Sequence, residues 1–372
     1  MSETPTIDAG LLRYWRHPLA RPAVAAIVVA LVPFVIAFVV GDRQVGRLNH
    51  ALTLAVAILG VNLVVGYSGV LAFGHSAFVG IGAFTTATLV ADHGWPHLAT
   101  VPVAALVAFA AGVAFAIPAL RLPRAYLAAA TAAFALALPS LLTLDVWGVA
   151  TRTGGVRGRD VGELWAPGWV RTVLGLEDTP AQQGIYRYLL FAAFTALVLV
   201  GVRALLRGGW GATLESARVG TIHGRPVSPG AARVQAFVFG ISAALAGSAG
   251  AMWVMNVGEI VPADFGFSPL AVLLLVGLIV GGISTLKGAV LGGLAVVVVD
   301  AVAGRLGLGV LTEAVLGGIL IAATFFAPGG LAGLWASLGG DDAFDEPATS
   351  APDPSAEHRA EQADQPASES SP

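Results

Sequence analysis

The stretch that decides the fold runs from Gly60 to Phe84 and has the sequence GVNLVVGYSGVLAFGHSAFVGIGAF. It contains no acidic side chain, lysine or arginine, and glycines recur among its apolar residues. Two apolar runs, near residues 48–66 and 70–91, meet inside it at Gly66-Tyr67-Ser68-Gly69. Each run is close to the ~20 residues that a helix needs to cross ~30 Å of hydrocarbon. The stretch therefore predicts two membrane helices joined by a very short connection.

The composition of the whole chain extends this prediction. Of its 372 residues, 56% are hydrophobic and 12% are charged, and the mean hydropathy is +0.80. These values lie outside the range of water-soluble globular proteins. Cysteine is absent, so neither a disulfide framework nor a thiolate metal site is expected. The composition predicts a membrane protein, with no nucleic-acid partner and no cofactor.

The apolar runs predict an all-α, polytopic transmembrane bundle of about ten spanning helices. The expected spans are residues 22–40, 48–66, 70–91, 98–119, 125–144, 186–206, 233–256, 268–286, 288–303 and 309–327. A broken or re-entrant helix is the alternative at two places, where spans meet at residues 66–69 and near Lys287.

The arginines predict the orientation of the bundle, because short loops rich in arginine stay in the cytoplasm. They place a basic leader, residues 1–22, and the N-terminus in the cytoplasm. A membrane domain follows at residues 23–335, with an extracytoplasmic loop at 145–185 and a cytoplasmic loop at 207–233. Residues 336–372 are polar and acidic, which predicts a disordered tail.

Few ionisable side chains lie within the predicted spans. His50, Asp300 and Glu313 lie near predicted helix ends, where a helix cap or contact with the membrane surface explains them. His75 lies in the glycine-rich stretch, and two interpretations stay open for it. It belongs either to an unwound ligand site or to a hydrogen bond between neighbouring helices. No metal-spaced cluster or activated nucleophile is evident in the sequence, so no catalytic residue is predicted.

Two sets of glycines are predicted to let helices pack closely. The first lies around the quoted stretch and the second near Lys287. The predicted packing positions are Gly66, Gly69, Gly74, Gly82, Gly281, Gly282, Gly288 and Gly292.

The quoted stretch resembles a run in the M-type, or second, permease subunits of branched-chain amino acid ABC importers. That run is G-L-N-x-x-x-G-x-x-G-Q-L-S-L-G-H-x-x-F-x-x-x-G-A-Y, and this chain lacks its two polar side chains, with Val70 in place of Gln and Ala72 in place of Ser. Residues 281–292, GGISTLKGAVLG, resemble the family's G-G-x-G-T-x-x-G-P-x-x-G, with Ser284 in place of a glycine. Further similar segments occur in the family's order between about residues 45 and 335.

The resemblance implies a transport subunit, with no catalytic activity of its own, in the cytoplasmic (inner) membrane of a prokaryote. It implies a second permease subunit, two ABC ATPase subunits, an extracytoplasmic solute-binding protein and membrane lipid as partners. The implied cargo is a branched-chain amino acid. Polar candidates for the substrate path are Asn62, Ser68, His75 and Thr85. The 207–233 loop is the implied ATPase-coupling loop, with candidate contacts at Leu214, Glu215, Ala217, Arg218 and Gly224.

Other functions remain as alternatives. Importers of urea or short-chain amides use closely similar permeases, so the resemblance leaves the cargo open between these and apolar amino acids. An ion-coupled secondary transporter needs a buried acidic relay, for which Asp300 is the candidate. A membrane-embedded enzyme needs His, Asp or Glu side chains clustered at one depth, and the sequence does not suggest such a cluster.

Overall fold

The computed structural model describes residues 42–119, 122, 124–145, 148–174, 179–222, 229–266, 270–307, 309, 311–326 and 329–337. The leader at residues 1–22, the expected span at 22–40, Gly224 and the tail beyond residue 337 lie outside the described residues. The count of ten spans and the side of the N-terminus therefore stay predictions.

The described residues form thirteen α-helices and one small sheet. The helices are α1 (Asp42–Asn62), α2 (His75–His93), α3 (His97–Ala119), α4 (Arg124–Thr143), α5 (Val149–Thr153), α6 (Gly168–Leu174), α7 (Pro180–Arg207), α8 (Gly209–Ile222), α9 (Pro229–Val257), α10 (Val272–Gly281), α11 (Leu286–Arg305), α12 (Leu311–Phe326) and α13 (Gly330–Ser337). The strands β1 (Arg159–Asp160) and β2 (Glu259–Ile260) pair antiparallel.

Six of the described helices are long and apolar enough to cross a membrane, namely α1 with its continuation to Tyr67, α3, α4, α7, α9 and α11. The chain is therefore a multi-pass helical membrane protein. For the run at 268–286 the structure contains the broken-helix alternative, because α10 ends at Gly281 and α11 begins at Leu286. Gly282 and Ser284 follow with φ of 123° and 63°, which right-handed helix cannot accommodate. The break therefore separates α10 from α11, and α11 is a continuous helix of 20 residues.

The 145–185 loop, which the sequence predicts to be extracytoplasmic and which is called the outer loop below, also differs from its predicted bounds. Residues 145–185 contain α5, α6 and β1, and α7 begins at Pro180. β1 pairs with β2, which follows α9, so the loop is fixed to the end of a central helix. Gly158, with φ of 73°, lies against the backbone of Ile260, where a side chain would not fit. The loop is therefore an ordered part of the bundle.

The bundle is built around α1 and α9. In the apolar stretch of each of these helices 78% of the residues are buried, against 28% in α3 and 22% in α4. α9 packs against α1, α2 and α3, and α11 packs against α1 and α10. Large apolar side chains of α3 and α4 remain exposed, among them Leu106, Tyr126 and Leu136. Because water would penalise such surfaces, these faces suit lipid or another apolar subunit.

Several glycines sit where two backbones touch. A Cβ on Gly82 would overlap Gly247 of α9, and a Cβ on Gly74 would overlap the carbonyl group of Thr131 in α4. Gly281 lies against Gly288, and Gly292 lies against Gly277. Such contacts let membrane helices gain van der Waals contact at short range.

The other predicted packing glycines have different surroundings. Gly66 lies beside the Asn62 side chain and the backbone of Ser284. Gly69 is in a non-helical segment with φ of 68°, so a turn, rather than a helix contact, accounts for it. Gly282 also has a positive φ and lies close to Gly329.

Candidate functional site

The helical conformation of the chain is interrupted between α1 and α2, in the middle of the stretch from Gly60 to Phe84. α1 ends in a π-helical turn, Leu63–Tyr67, and the backbone then stays non-helical until Gly74. The predicted span at 70–91 therefore begins as a helix only at His75. Inside a membrane, non-helical backbone is stable only where the protein supplies hydrogen-bond partners. The break is thus a place where polar groups meet inside an apolar bundle.

The break is held by backbone and side-chain hydrogen bonds. Ser68 N donates to the Leu63 carbonyl at 3.1 Å, and Val70 N donates to the Val64 carbonyl at 3.0 Å. On the far side of the break, Phe73 N donates to Thr131 Oγ1 of α4 at 2.9 Å. The non-helical segment is therefore attached to its own helix at one end and to α4 at the other.

His75, the first residue of α2, is buried and connects three helices. The Ser242 hydroxyl of α9 donates to the Gly60 carbonyl of α1, and His75 Nε2 lies 2.6 Å from the same oxygen. The Ser242 hydroxyl therefore lies between the Gly60 carbonyl and the His75 imidazole and is within hydrogen-bond distance of both. The sequence left His75 open between a ligand site and an interhelical hydrogen bond, and the structure contains the hydrogen bond.

A narrow cleft lies beside His75. The Ser76 hydroxyl is buried there and has no hydrogen-bond partner among the described residues. The cleft measures about 10 Å³, which is about the space of one water molecule. Its lining residues are Val61, Ala72, Phe73, His75, Ser76, Ala271, Leu274 and Leu275. The cleft combines apolar walls with two polar groups, and in this conformation it is too small for an amino acid.

Aromatic side chains surround the other faces of His75. The rings of Phe78 and Phe239 have centroids 6.0 and 5.8 Å from its imidazole. Phe115 and Phe134 continue the cluster against Phe78. The imidazole is therefore held in one orientation by packing as well as by its hydrogen bond.

Asn62 braces the break from the side of α1. Its Oδ1 accepts from Ser284 N at 2.9 Å, and its Nδ2 donates to the Thr285 carbonyl at 2.8 Å. The oxygen and the nitrogen of this buried side-chain amide are thus both hydrogen-bonded to the α10–α11 loop. Ser284 has a φ of 63°, a left-handed conformation that costs a non-glycine residue about 1–2 kcal/mol. The surrounding hydrogen bonds must compensate for that strain.

The remaining substrate-path candidates lie in different surroundings. Ser68 is buried in the break. Thr85 lies ten residues beyond His75 on α2, roughly 15 Å along the helix axis. Its hydroxyl donates to the Ile81 carbonyl of its own helix at 2.7 Å. Ser68 and His75 therefore lie at the break, and Asn62 connects α1 to the α10–α11 loop beside it. Thr85 lies apart from the break.

The predicted coupling loop contains the helix α8. Leu214 is almost fully buried, whereas Glu215 is exposed. Arg218 Nη1 donates to Ser284 Oγ at 3.3 Å. The side chain of Ala217 lies outside the described set. Leu214 therefore attaches α8 to the bundle, and Glu215 points to the surface.

In the 145–185 loop, Arg159 forms an ion pair with Asp92 at the end of α2. One hydrogen bond of the pair, from Arg159 Nη1 to Asp92 Oδ2, is 2.9 Å long. The Arg159 guanidinium holds the pKa of the Asp92 carboxyl below its usual value. A second ion pair joins Arg187 of α7 to Glu163 of the outer loop. These pairs link the outer loop to α2 and α7.

The ionisable residues of the alternative functions are scattered. His50 packs edge-on against Trp253, with ring centroids 4.8 Å apart, and the charge of Asp300 acts on it. The side chain of Glu313 lies outside the described set. Among the described residues, no three His, Asp or Glu side chains come close enough to hold a metal ion.

Three residues of the site were missed at the sequence level, namely Ser76, Thr131 and Ser242. Each is a single small polar residue in an apolar helix, and such residues occur in most membrane helices. Only their packing against the break distinguishes them, because Ser242 and Thr131 come from helices distant in sequence.

The fold and the site together define a class, that of polytopic membrane proteins with broken helices around buried polar groups. Within it, this chain belongs to the family described as the permease component of branched-chain amino acid transport systems, whose profile matches residues 45–324.

Two curated relatives are similar over most of this chain. One is the high-affinity branched-chain amino acid transport system permease protein LivM of Escherichia coli (strain K12), 31% identical over 64% of this chain and 59% of the relative. The other is the protein of the same name from Salmonella typhimurium (strain LT2), 30% identical over 70% of this chain and 64% of the relative. The matched region thus spans less than two thirds of either relative. No solved structure matches the chain.

Proposed function

We propose that the chain is a permease subunit of an ATP-driven importer and forms half of the path for branched-chain amino acids. The observation that carries the proposal is the break between α1 and α2, where His75 and Ser76 line a cleft with apolar walls. An apolar amino acid needs such walls for its side chain and a few polar groups for its ammonium and carboxylate. Family membership and the names of both relatives support this cargo.

In this proposal the described conformation is a closed state. A cleft of about 10 Å³ cannot hold leucine, so transport requires the break and α10 to move apart. The break and the α10–α11 loop are the irregular parts of the bundle core, and their hydrogen bonds can exchange without unfolding a long helix. The exposed apolar faces of α3 and α4 leave surface for lipid and for a second permease subunit.

The energy source in this proposal is ATP hydrolysis by two partner ATPases, which act on α8. Glu215 is exposed on that helix and is the proposed contact. Leu214 is buried and transmits the motion into the bundle. The cytoplasmic leader at 1–22, the acidic tail at 336–372 and a solute-binding protein on the outer face complete the proposed arrangement.

The test is reconstitution of the chain with candidate permease and ATPase partners in liposomes. Uptake and ATP hydrolysis are measured with a binding protein loaded with leucine, isoleucine, valine or urea. Stimulation by the three amino acids alone supports the proposal, and stimulation by urea alone supports the alternative cargo. Loss of stimulation by every ligand in a verified assembly contradicts the importer itself.

Two variants connect the cargo to the proposed site. His75→Phe removes the hydrogen bond to Ser242, whose hydroxyl keeps the Gly60 carbonyl as its partner, and the loss of one such bond costs about 0.5–1.5 kcal/mol. We expect uptake to fall about tenfold or more in an intact assembly. Thr85→Val is the control, because that hydroxyl bonds only its own helix in the described contacts. Equal uptake by both variants would remove His75 from the path.

A third variant addresses ion coupling. Asp300→Asn removes the acidic group that a proton-coupled or sodium-coupled carrier of this sequence would need. We expect ATP-driven uptake to persist in this variant. Loss of uptake in an intact assembly, together with gradient-driven uptake by the unsubstituted chain alone, would favour the secondary-transporter alternative.

A further inference from the structure

Ser284 lies in a backbone conformation that glycine adopts more easily. It is the one non-glycine residue with a positive φ in the part of the chain that the structure describes. The similar family segment has glycine at this position. A serine that remains in a strained conformation needs a compensating role for its side chain.

The Ser284 hydroxyl forms two hydrogen bonds, one to each of two separate elements. It donates to the Gly66 carbonyl at 2.9 Å, and it accepts from Arg218 Nη1 at 3.3 Å. Gly66 belongs to the π-helical turn at the end of α1, and its carbonyl needs a donor from elsewhere because the chain leaves the helix there. The three residues form a continuous link, the Arg218–Ser284–Gly66 link, that glycine at position 284 cannot make.

The two ends of this link lie in functionally different regions. Arg218 is on α8, the helix on which the ATPases act in the proposed function. Gly66 is on the turn that begins the break, nine residues before His75. A Cβ on Gly66 would collide with the Asn62 side chain and with Ser284 N, so the turn and the α10–α11 loop fit closely. Along this link only the side chains of Arg218 and Ser284 lie between α8 and the turn, so a displacement of α8 can move the turn.

We propose that Ser284 is a positioning residue that couples α8 to the break between α1 and α2. In the closed state the Arg218–Ser284–Gly66 link holds the π-helical turn against the α10–α11 loop. When the ATPases displace α8, Arg218 withdraws from Ser284, and the turn and the loop separate beside the cleft. The inference rests on the proposed function, since it requires ATPases that act on α8.

The test compares Ser284→Gly with Ser284→Ala in the reconstituted complete assembly. The glycine variant relieves the backbone strain and removes the hydroxyl, whereas the alanine variant keeps the strain and removes the hydroxyl. The measured quantities are the thermal midpoint of the purified assembly and the amount of amino acid transported per ATP hydrolysed. Ser248→Ala on α9 is the matched control, because that hydroxyl bonds the Ala244 carbonyl of its own helix.

We expect both Ser284 variants to lose coupling. Amino acid transported per ATP should fall roughly tenfold, within the usual range of coupling between two sites. The thermal midpoint should be unchanged or higher in Ser284→Gly and lower in Ser284→Ala. Arg218→Gln should reproduce the coupling loss and add little to it in a double variant with Ser284→Gly. If Ser284 has only a structural role, the amount of amino acid transported per ATP should instead fall only in the variant whose thermal midpoint falls.

A second readout uses the absence of cysteine from the chain. Leu71 lies in the break and is 49% exposed, so Leu71→Cys provides the single labelling site of this chain, and labelling is read on this subunit after it is separated from its partners. Its labelling rate should change when ATP and vanadate trap the assembly, and this change should disappear in the Ser284→Gly background. The inference would be overturned if the labelling rate changed fully in the Ser284→Gly background, or if the Ser284→Gly assembly transported a normal amount of amino acid per ATP. Absence of ligand-stimulated hydrolysis in the unsubstituted assembly would overturn the proposed function first, so the two failures are distinguishable.

Discussion

Replacing Gly82 by alanine tests whether backbone contact between α2 and α9 holds the centre of the bundle together. The added Cβ would lie 2.5 Å from the carbonyl carbon of Gly247, about 1 Å inside the optimal separation of two carbon atoms. Both contacting groups are backbone, so no side chain can rotate away. The helices must separate, and overpacking of this kind costs about 1–3 kcal/mol. Gly250, which touches Val79 of α2, would lose contact at the same time.

The matched control is Gly317→Ala in α12. Nothing lies within 4 Å of a Cβ at that position, and alanine raises helix propensity by at most about 1 kcal/mol. Equilibrium unfolding in mixed detergent micelles, followed by circular dichroism, measures both variants. We expect Gly82→Ala to lower the free energy of unfolding by about 2 kcal/mol and Gly317→Ala to leave it unchanged or raised. A difference between the two below about 0.5 kcal/mol would refute the reasoning.

Three further predictions concern other parts of the bundle. Asn62→Ala leaves two backbone groups of the α10–α11 loop unpaired and should cost about 2–4 kcal/mol in the same unfolding assay, whereas Asn62→Asp, which keeps the acceptor, should cost less. Because Arg159 lowers the pKa of Asp92, their ion pair should stabilise the fold above pH ~4 and lose this contribution as the pH falls through the lowered pKa. Unfolding at different pH values should show this loss, within about 1 kcal/mol for so exposed a pair, and Arg159→Gln should abolish it. Leu214→Ala should destabilise the assembly by about 2–5 kcal/mol. Glu215→Ala should leave thermal stability unchanged and should reduce the amount of ATPase that co-purifies with the chain. The reverse pattern would contradict the proposed orientation of α8.

The helical membrane class was predictable because it depends on composition and on the lengths of apolar runs. The runs near 98–119, 125–144 and 233–256 became α3, α4 and α9 within a few residues of the predicted ends. For the run at 268–286 the sequence left a continuous span and a broken helix open, because hydropathy alone does not reveal a break in helical conformation. Gly282 and Ser284 interrupt that apolar run without adding any charge.

The site was partly predictable. His75 attracted attention because an ionisable side chain in an apolar, glycine-rich segment needs a partner. Its partner Ser242 is 167 residues away in the chain, and no spacing rule connects the two. Thr85 was chosen for its polarity alone, yet a threonine hydroxyl in a helix can bond its own turn, and Thr85 does so.

The sequence by itself determined that this chain is a multi-pass helical membrane protein, because burial in lipid constrains the length of each apolar run and its glycine content locally. Its motifs indicated the permease family. The sequence left two places open for a break, and only the tertiary structure decided that helices break there, which helices are central, and which polar groups meet at the break. Those features depend on hydrogen bonds and backbone contacts between residues far apart in the chain, such as Asn62 with Ser284 and Gly82 with Gly247. A membrane interior supplies no water to satisfy an unpaired group, so each break requires a partner that only the folded arrangement brings within reach.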